Sequence, residues 1–125
     1  MLIDEHSATP LYQQVHDQIL LAIAQGRLRH GDRLDSVRQL AETHGLNPAT
    51  VQKAYDLLRA DGVLHTDGRR GSTINVPQQA TRQSIVDTRN QLADVLTLAV
   101  ARGVSAGRVR SLVDGILTEL KAPPV

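Results

Sequence analysis

The chain has 125 residues, of which 41% are hydrophobic and 22% are charged, a composition that suits a folded globular protein and argues against extensive disorder. It contains no cysteine, so disulfide frameworks, thiol nucleophiles and cysteine-based zinc sites are excluded. The apolar runs are too short for a membrane span, and the N-terminus lacks the features of a signal peptide, so we expect a cytoplasmic protein.

Net charge identifies no partner for the chain. The formal net charge is +1. The segment up to Gln78 carries eight basic and nine acidic residues, and the remainder carries six and four. Any argument for nucleic-acid binding must therefore rest on where the basic groups lie rather than on an excess of them.

The first predicted helix begins with Thr9 as its cap and Pro10 in its first turn, where the missing N–H of proline costs nothing. Gly26 is a plausible left-handed stop for this helix. Apolar residues recur at helical spacing between these signals and form one stripe. The stripe consists of Leu11, Val15, Ile19, Ala22 and Ile23.

Two further helices follow in close succession. Ser36 begins a short second helix with a capping-box pattern that includes Gln39, and Gly45 ends it. Asn47 caps a third helix that has Pro48 in its first turn. Two helices joined by a short glycine turn are the outline of a helix-turn-helix. The residues predicted to face inward on the third helix are Val51, Ala54, Tyr55 and Leu58.

A β-hairpin is predicted after the third helix. Residues 63–66 and 72–76 have the character of short strands, and the segment 67–71 between them reads as a turn. A hairpin at this place makes the helix-turn-helix winged. The predicted fold class is mainly α with a small β-hairpin (α+β), with a winged helix-turn-helix domain over residues 1–77.

Residues 78–125 are predicted to form a helical dimerisation tail. A polar linker over 78–82 precedes a helix at about 84–102, and Ser105 caps another. The apolar residues of the first of these helices cover an arc wider than one contact face requires, so the two helices cannot bury it by packing on each other alone. We expect a second copy of the chain to cover it, and the alternative is that the tail folds back onto the winged domain. The predicted dimer interface comprises Leu92, Val95, Leu96, Ala99, Val109, Leu112, Val113, Ile116, Leu117 and Leu120.

Polar side chains at the start of the third helix are suited to reading bases. Asn47 and Gln52 can form paired hydrogen bonds with adenine, and the methyl groups of Ala49 and Thr50 can contact thymine. Lys53 is better suited to a phosphate. The alternative is that Asn47 only caps the helix and that its polar neighbours face water.

Two arginines, Arg69 and Arg70, lie at the predicted tip of the wing, where they can enter a minor groove, clamp phosphates or simply be solvated. The five histidines include no pair at helical spacing, so solvated or capping roles are expected for them. No phosphate loop, nucleophile elbow or zinc-protease motif occurs. We therefore expect no catalytic residues, no bound metal, no cofactor and no enzymatic activity.

As an ordered set, the motifs of residues 9–76 closely resemble the GntR family of bacterial regulators. About 45 further residues are too few for the large effector domain of most relatives, and the two-helix tail resembles the YtrA-type subfamily, whose members dimerise through it. The motifs are Pro10–Val15, Gly26–Leu28, Gly31–Leu34, Ser36–Ala41, Asn47–Val51, Ala54–Tyr55, Leu58 and Asp61–Leu64.

The resemblance implies a homodimeric repressor that binds double-stranded DNA at a palindromic operator. A protein-interaction module built on the same fold is the alternative, and any small-molecule effector is unknown. Three residues depart from the family pattern: Asp35 and His30 stand where proline is common, and Arg69 replaces a wing glycine. The implied and predicted DNA contacts together are Tyr12, Ser36, Arg38, Asn47, Ala49, Thr50, Gln52, Lys53, Arg69, Arg70 and Gly71.

Overall fold

The computed structural model describes residues 1–68 and 71–121. The described part is mainly helical with one two-stranded antiparallel sheet, which confirms the predicted fold class. The chain divides into two compact units, with the boundary between Val76 and Pro77. In chain order the elements are α1 (Leu11–Ala24), α2 (Val37–His44), α3 (Pro48–Ala60), β1 (Leu64–Asp67), β2 (Gly71–Ile74), α4 (Arg82–Ala101) and α5 (Ala106–Lys121).

The first unit has one apolar core, to which all three of its helices and both strands contribute. The inner faces of α1 and α3 supply most of it, and α2 adds two residues. Burial of this apolar surface is the main term that stabilises so small a unit. The buried cluster comprises Val15, Ile19, Leu40, Ala41, Leu46, Val51, Ala54, Tyr55, Leu58, Leu64 and Ile74.

Tyr55 fixes α3 against the beginning of α2. Its side chain is only 1% exposed, and its hydroxyl donates a hydrogen bond to the carbonyl oxygen of Asp35 at 2.7 Å. Burial, with a smaller contribution from the Asp35 charge, raises the pKa of Tyr55 to about 12. The phenol therefore remains a neutral donor at any physiological pH.

The helix ends of the first unit follow the sequence signals closely, with one exception. Ser36 and Gln39 form the predicted capping box, and Gly45 ends α2 in the left-handed conformation with φ of 64°. Thr9 does not cap α1, so this prediction is wrong. The N-cap is Pro10, which has no capping side chain, and the Thr9 carbonyl oxygen instead accepts a hydrogen bond from the Gln14 amide.

The hairpin pairs Leu64 with Ile74 and Asp67 with Gly71. Both strands are displaced by one residue or more from the predicted 63–66 and 72–76. The connector between α1 and α2 contributes to the pairing, because the N–H of Ile74 donates to the Asp32 carbonyl at 2.8 Å and the N–H of Leu34 donates to the Ser72 carbonyl at 2.9 Å. The connector therefore anchors β2 from its other side.

An extended N-terminal segment lies along α1. The N–H of Asp4 donates to the Gln14 side-chain oxygen, and the Gln14 amide donates back to the Asp4 carbonyl, both at 2.8 Å. Gln18 forms the same reciprocal pair with Leu2. The two glutamines are four residues apart and therefore lie on one face of the helix. Their spacing lets them hold alternate residues of the extended segment.

The second unit consists of α4 and α5, which contact each other. Helix α4 begins at Arg82, two residues before its predicted start, because the Thr81 hydroxyl oxygen accepts a hydrogen bond from the Ser84 N–H and supplies the cap. Gly103, with φ of 89°, follows the C-cap residue Arg102, so this helix ends close to the predicted residue 102. Ser105 caps α5 through the Arg108 N–H at 3.1 Å. Neither helix contains a buried residue.

His16 is not solvated, contrary to the general expectation for the histidines. It is 9% exposed on α1, and its Nε2 lies 2.6 Å from Asp61, the C-cap residue of α3, while Nδ1 lies 2.8 Å from Asp17. Burial lowers the pKa of His16, but the hydrogen bonds and charges of Asp61 and Asp17 outweigh it, and the net effect raises the pKa above 6.5. The His16 imidazole thus joins α1 to the end of α3.

We expect this link to make stability depend on pH. Because the folded pKa lies above the unfolded value, the stabilisation is fully present below about pH 6.5 and is lost as the pH rises through the folded pKa. Urea unfolding between about pH 5.5 and 9 should show a loss of stability in the wild type that is reduced in His16→Gln. The exposed His65→Gln is the matched control. Parallel curves for wild type and His16→Gln would contradict the assignment.

Candidate nucleic-acid interface

The opening turns of α3 present their polar side chains to solvent. The inner face of the helix is occupied by Val51, Ala54, Tyr55 and Leu58, all of them buried. A helix with one face fully packed has a fixed rotation about its axis, so the intervening positions must face outward. Among the predicted contact residues on this helix and its cap, Thr50 is half-buried and the exposed ones are Asn47, Ala49, Gln52 and Lys53.

Asn47 is the N-cap of α3, as predicted. Its Oδ1 accepts a hydrogen bond from the Ala49 N–H at 2.8 Å, which uses one of the two acceptor sites of this oxygen. Its Nδ2 group has no partner among the residues that the structure describes. The cap role is therefore present, and the cap bond restricts how Asn47 can turn its donor–acceptor pair toward an adenine.

The first turn of α2 places two predicted contacts at the surface. Both Ser36 and Arg38 are exposed. The Ser36 Oγ accepts from the Gln39 N–H at 3.1 Å, which leaves its hydroxyl hydrogen free to donate. The Arg38 guanidinium forms no hydrogen bond or ion pair within the described part of the chain. Ser36 and Arg38 therefore offer hydrogen-bond donors at this end of α2, which suits phosphate oxygens and guanine edges.

Tyr12 and Lys53, predicted separately, are adjacent in the structure. The Lys53 ammonium lies 3.9 Å from the centroid of the Tyr12 ring, a cation–π contact between α1 and α3. The contact restrains a flexible lysine without neutralising its charge. A phosphate beside α3 would therefore meet the Lys53 ammonium, which the Tyr12 ring holds in position.

Gln52 has partners that sequence analysis missed. Its Nε2 donates to Asp56 Oδ1 at 2.9 Å, and Arg59 donates to the same oxygen. These hydrogen bonds, with that from Gln52 the larger effect, lower the pKa of Asp56 below its usual value. Arg59 also donates to Thr66 of β1 at 2.7 Å. The spacing of Gln52, Asp56 and Arg59 is a sequence signal for the helical part.

The wing is described only in part. Gly71 is exposed, with φ of 71°, a left-handed conformation that favours glycine. The predicted contacts at Arg69 and Arg70 lie outside the described residues. The hairpin strands themselves are anchored in the core through Leu64 and Ile74.

The two residues at common proline positions have specific contacts. The Asp35 carbonyl oxygen accepts from Tyr55, and its side chain is exposed beside Ser36. His30 Nδ1 lies 3.0 Å from the Val76 N–H and accepts its hydrogen bond, which ties the connector to the end of the first unit. Asp35 therefore contributes a backbone contact to the first unit, and His30 contributes a side-chain contact.

Other site types find no support in the described residues. Within ranges 1–68 and 71–121, no group of three or more histidine, aspartate and glutamate side chains is arranged to hold a metal ion. No helix in these ranges is both long and apolar enough to cross a bilayer.

The family model for bacterial regulatory proteins, gntR family, matches residues 11–74, which are more than half of the chain. The chain belongs to the GntR family. The Bacillus subtilis (strain 168) HTH-type transcriptional repressor YtrA is 31% identical over 121 residues, which cover 95% of this chain and 93% of that protein. The chain is therefore YtrA-like, as the length of the tail predicted.

Two solved structures agree with the GntR assignment. YtrA from Sulfolobus acidocaldarius, described as a GntR-family transcription factor, has a TM-score of 0.68 and 36% identity, covering 80% of this chain and 96% of that one. A Listeria monocytogenes EGD-e protein described as a transcriptional antiterminator has a TM-score of 0.83 and 28% identity, covering 100% of this chain and 95% of that one. Both share the winged-helix fold.

As a GntR regulator, the protein is a DNA-binding transcription regulator and not an enzyme. This confirms the coarse function derived from the sequence and decides against the interaction-module alternative.

The two roles considered for Asn47 can be separated by substitution. We expect Asn47→Ala to lower the free energy of unfolding by about 1 kcal/mol, because the Ala49 N–H loses its cap. Asn47→Asp keeps a capping oxygen and should retain stability, yet bind DNA more weakly because it adds a negative charge. Urea unfolding and fluorescence anisotropy with duplex DNA measure the two effects. A stable Asn47→Ala variant would show that the cap is dispensable.

Proposed function

We propose that the protein is a cytoplasmic repressor that binds a palindromic operator as a homodimer. The observation that carries the proposal is the outward orientation of the polar opening turns of α3, fixed by the buried opposite face. A helix exposed in this way can enter a major groove with its N-terminal residues against base edges.

In this proposal the contacts divide into two classes. Base edges are met by Gln52 and Arg38, with Ala49 and Thr50 offering methyl groups to thymine. Phosphates are met by Ser36, by Lys53 on its Tyr12 support, and by the wing near Gly71. Asn47 primarily caps the helix and adds one donor.

The homodimer is supported by the surface of the second unit. Val95 is 65% exposed and Ile116 is 54% exposed, and other large apolar side chains of α4 and α5 share this exposure. Apolar patches of this kind on a folded protein mark interaction surfaces. By contrast, Leu96, Ala99, Val109, Val113 and Leu120 of the predicted interface are half-buried. They have the partial burial of side chains at the seam between α4 and α5, and Leu96 among them also lines a groove along α4. The exposed set remains for a second copy.

A groove along α4 fits the packing of another helix. It encloses about 760 Å³, and its lining is mostly apolar. Residues three, four and seven positions apart form its floor, the spacing of a helix-packing stripe. Its apolar lining residues are Ala80, Ile85, Leu92, Ala93 and Leu96. A second copy presents the same stripe, so a two-fold interface is self-complementary.

Two-fold symmetry in the protein implies two-fold symmetry in its DNA. We propose half-sites whose centres are about one helical turn apart, roughly 34 Å. Repression rather than activation is supported by the relative from Bacillus subtilis, whose name describes it as a repressor.

The role of Arg38 can be tested directly. We expect Arg38→Ala to weaken operator binding by about 1–3 kcal/mol, because a guanidinium that reads a guanine loses both hydrogen bonds. Arg38→Lys keeps the charge without the planar fork, and should preserve binding to unrelated DNA better than binding to operator. Gel-shift titrations at several salt concentrations measure both effects, and specific binding should weaken steeply with salt. Unchanged operator affinity for Arg38→Ala would remove this residue from the interface.

The homodimer has an independent test. Because Val95 and Ile116 are exposed in the single chain, Val95→Asp combined with Ile116→Asp should leave the fold intact while placing charges in the proposed interface. We expect light scattering to report a monomer whose operator affinity is reduced. Gln91→Asp on α4 is the control for an added charge on an exposed polar position. A folded double variant that remains dimeric would exclude this face.

A further inference from the structure

A continuous chain of polar side chains joins the outer side of α3 to the hairpin. Gln52 donates to Asp56 at 2.9 Å, and Arg59 donates both to Asp56 and, at 2.7 Å, to Thr66 of β1. The Thr66 hydroxyl lies 3.1 Å from that of Ser72 on β2. A position proposed to read bases is thereby connected to both strands of the wing.

The chemistry of Asp56 fixes the orientation of the Gln52 amide. An ionised carboxylate only accepts hydrogen bonds, so the amide must turn its nitrogen toward Asp56 and its oxygen away from it. The lowered pKa of Asp56 keeps the carboxylate ionised at physiological pH. Without that acceptor, rotation of the terminal torsion would present either the oxygen or the nitrogen, because this torsion has two nearly equivalent positions.

Arg59 extends this series of hydrogen bonds to the hairpin. A guanidinium only donates, so the Thr66 oxygen must accept from it, and the same hydroxyl also forms a hydrogen bond with Ser72. Thr66 and Ser72 are paired across the hairpin. The position of the hairpin is thus transmitted through Arg59 to the same Asp56 oxygen that holds Gln52.

Folding stability does not account for this arrangement. The side chain of Asp56 is 59% exposed and that of Arg59 is 30% exposed. Ion pairs in such positions contribute little to stability, because water screens them and two long side chains must be ordered. Their effect is on geometry at the surface of α3.

We propose that Asp56 and Arg59 are positioning residues that hold the Gln52 oxygen outward, so that Gln52 selects a base presenting an amino group in the major groove. Adenine and cytosine present such a donor, whereas guanine and thymine present carbonyl acceptors there. The proposal rests on the proposed function, since it assumes that the outer face of α3 meets base edges.

The test compares base preferences of full-length variants selected from duplexes with a randomised operator half-site. Gln52→Ala identifies the base position that Gln52 contacts. Asp56→Ala and Asp56→Asn both remove the negative charge, but only alanine removes the oxygen on which Gln52 and Arg59 converge. Alanine is the best helix former, so the exposed site should tolerate it.

At the position identified by Gln52→Ala, the wild type should favour adenine or cytosine. We expect Asp56→Ala to lower this preference by about threefold or more, and Asp56→Asn to retain most of it. Thr66→Val, which removes the acceptor for Arg59 while suiting a strand, should lower the preference at the same position although it lies in the hairpin.

Three results would overturn the proposal: a wild-type preference for guanine or thymine there, an unchanged preference in Asp56→Ala, or equal losses in Asp56→Ala and Asp56→Asn. A wild type without base preference at any position would instead reject the proposed function on which it depends.

Discussion

The structure depends on one constraint above the others, the complete burial of one face of α3. Val51, Ala54 and Leu58 are fully enclosed, and Tyr55 adds a directional hydrogen bond to the Asp35 carbonyl. Apolar packing of one face fixes the rotation of the helix, and the hydrogen bond to a single backbone oxygen adds a directional restraint. The buried residues of α3 thus set the orientation of its exposed residues. The same bond places the start of α2 relative to α3.

The second unit differs from the first in that its two described helices have no buried core. The first unit closes its own core, but α4 and α5 bury no residue and keep large apolar side chains at the surface. Two helices provide only one mutual seam, and apolar arcs wider than that seam must find another partner or remain in water. The winged unit therefore buries its own apolar core, whereas the tail has apolar surface that its two helices cannot bury alone. The proposed association of two chains would cover this surface without requiring any change in the first unit.

Local signals predicted well wherever a residue type has a local physical role. Ser36 with Gln39 and Asn47 with Pro48 mark helix starts through bonds made within a few residues, and Gly45 marks a left-handed end. Thr9 failed because Pro10 can itself occupy the cap position. Contacts between distant segments were not predictable. His16 meets Asp61 across 45 positions, a separation for which no sequence spacing is diagnostic.

The candidate site also has features that the sequence predicted and features that it did not. That Asn47, Ala49, Gln52 and Lys53 face outward followed from the helical period, because the apolar positions fix the inner face. Which atoms remain available did not follow. The cap bond uses one acceptor site of the Asn47 oxygen and the Asp56 carboxylate turns the Gln52 amide, and both facts alter what a base could meet. A residue type specifies which hydrogen bonds are possible, while its neighbours decide which of them remain.

The first unit has no excess of positive charge, and this bears on the role of the second unit. With eight basic and nine acidic residues up to Gln78, this segment gains little from the general attraction that gives many DNA-binding proteins their non-specific affinity. Asp35 adds a negative charge beside Ser36 at the proposed interface. In the proposed dimer, affinity comes from well-placed contacts and from their duplication. Once one winged unit is bound, the second unit would bind its half-site as an intramolecular step, so the two together would bind far more tightly than either alone. With so little excess positive charge, the proposed dimerisation would therefore be part of DNA recognition itself.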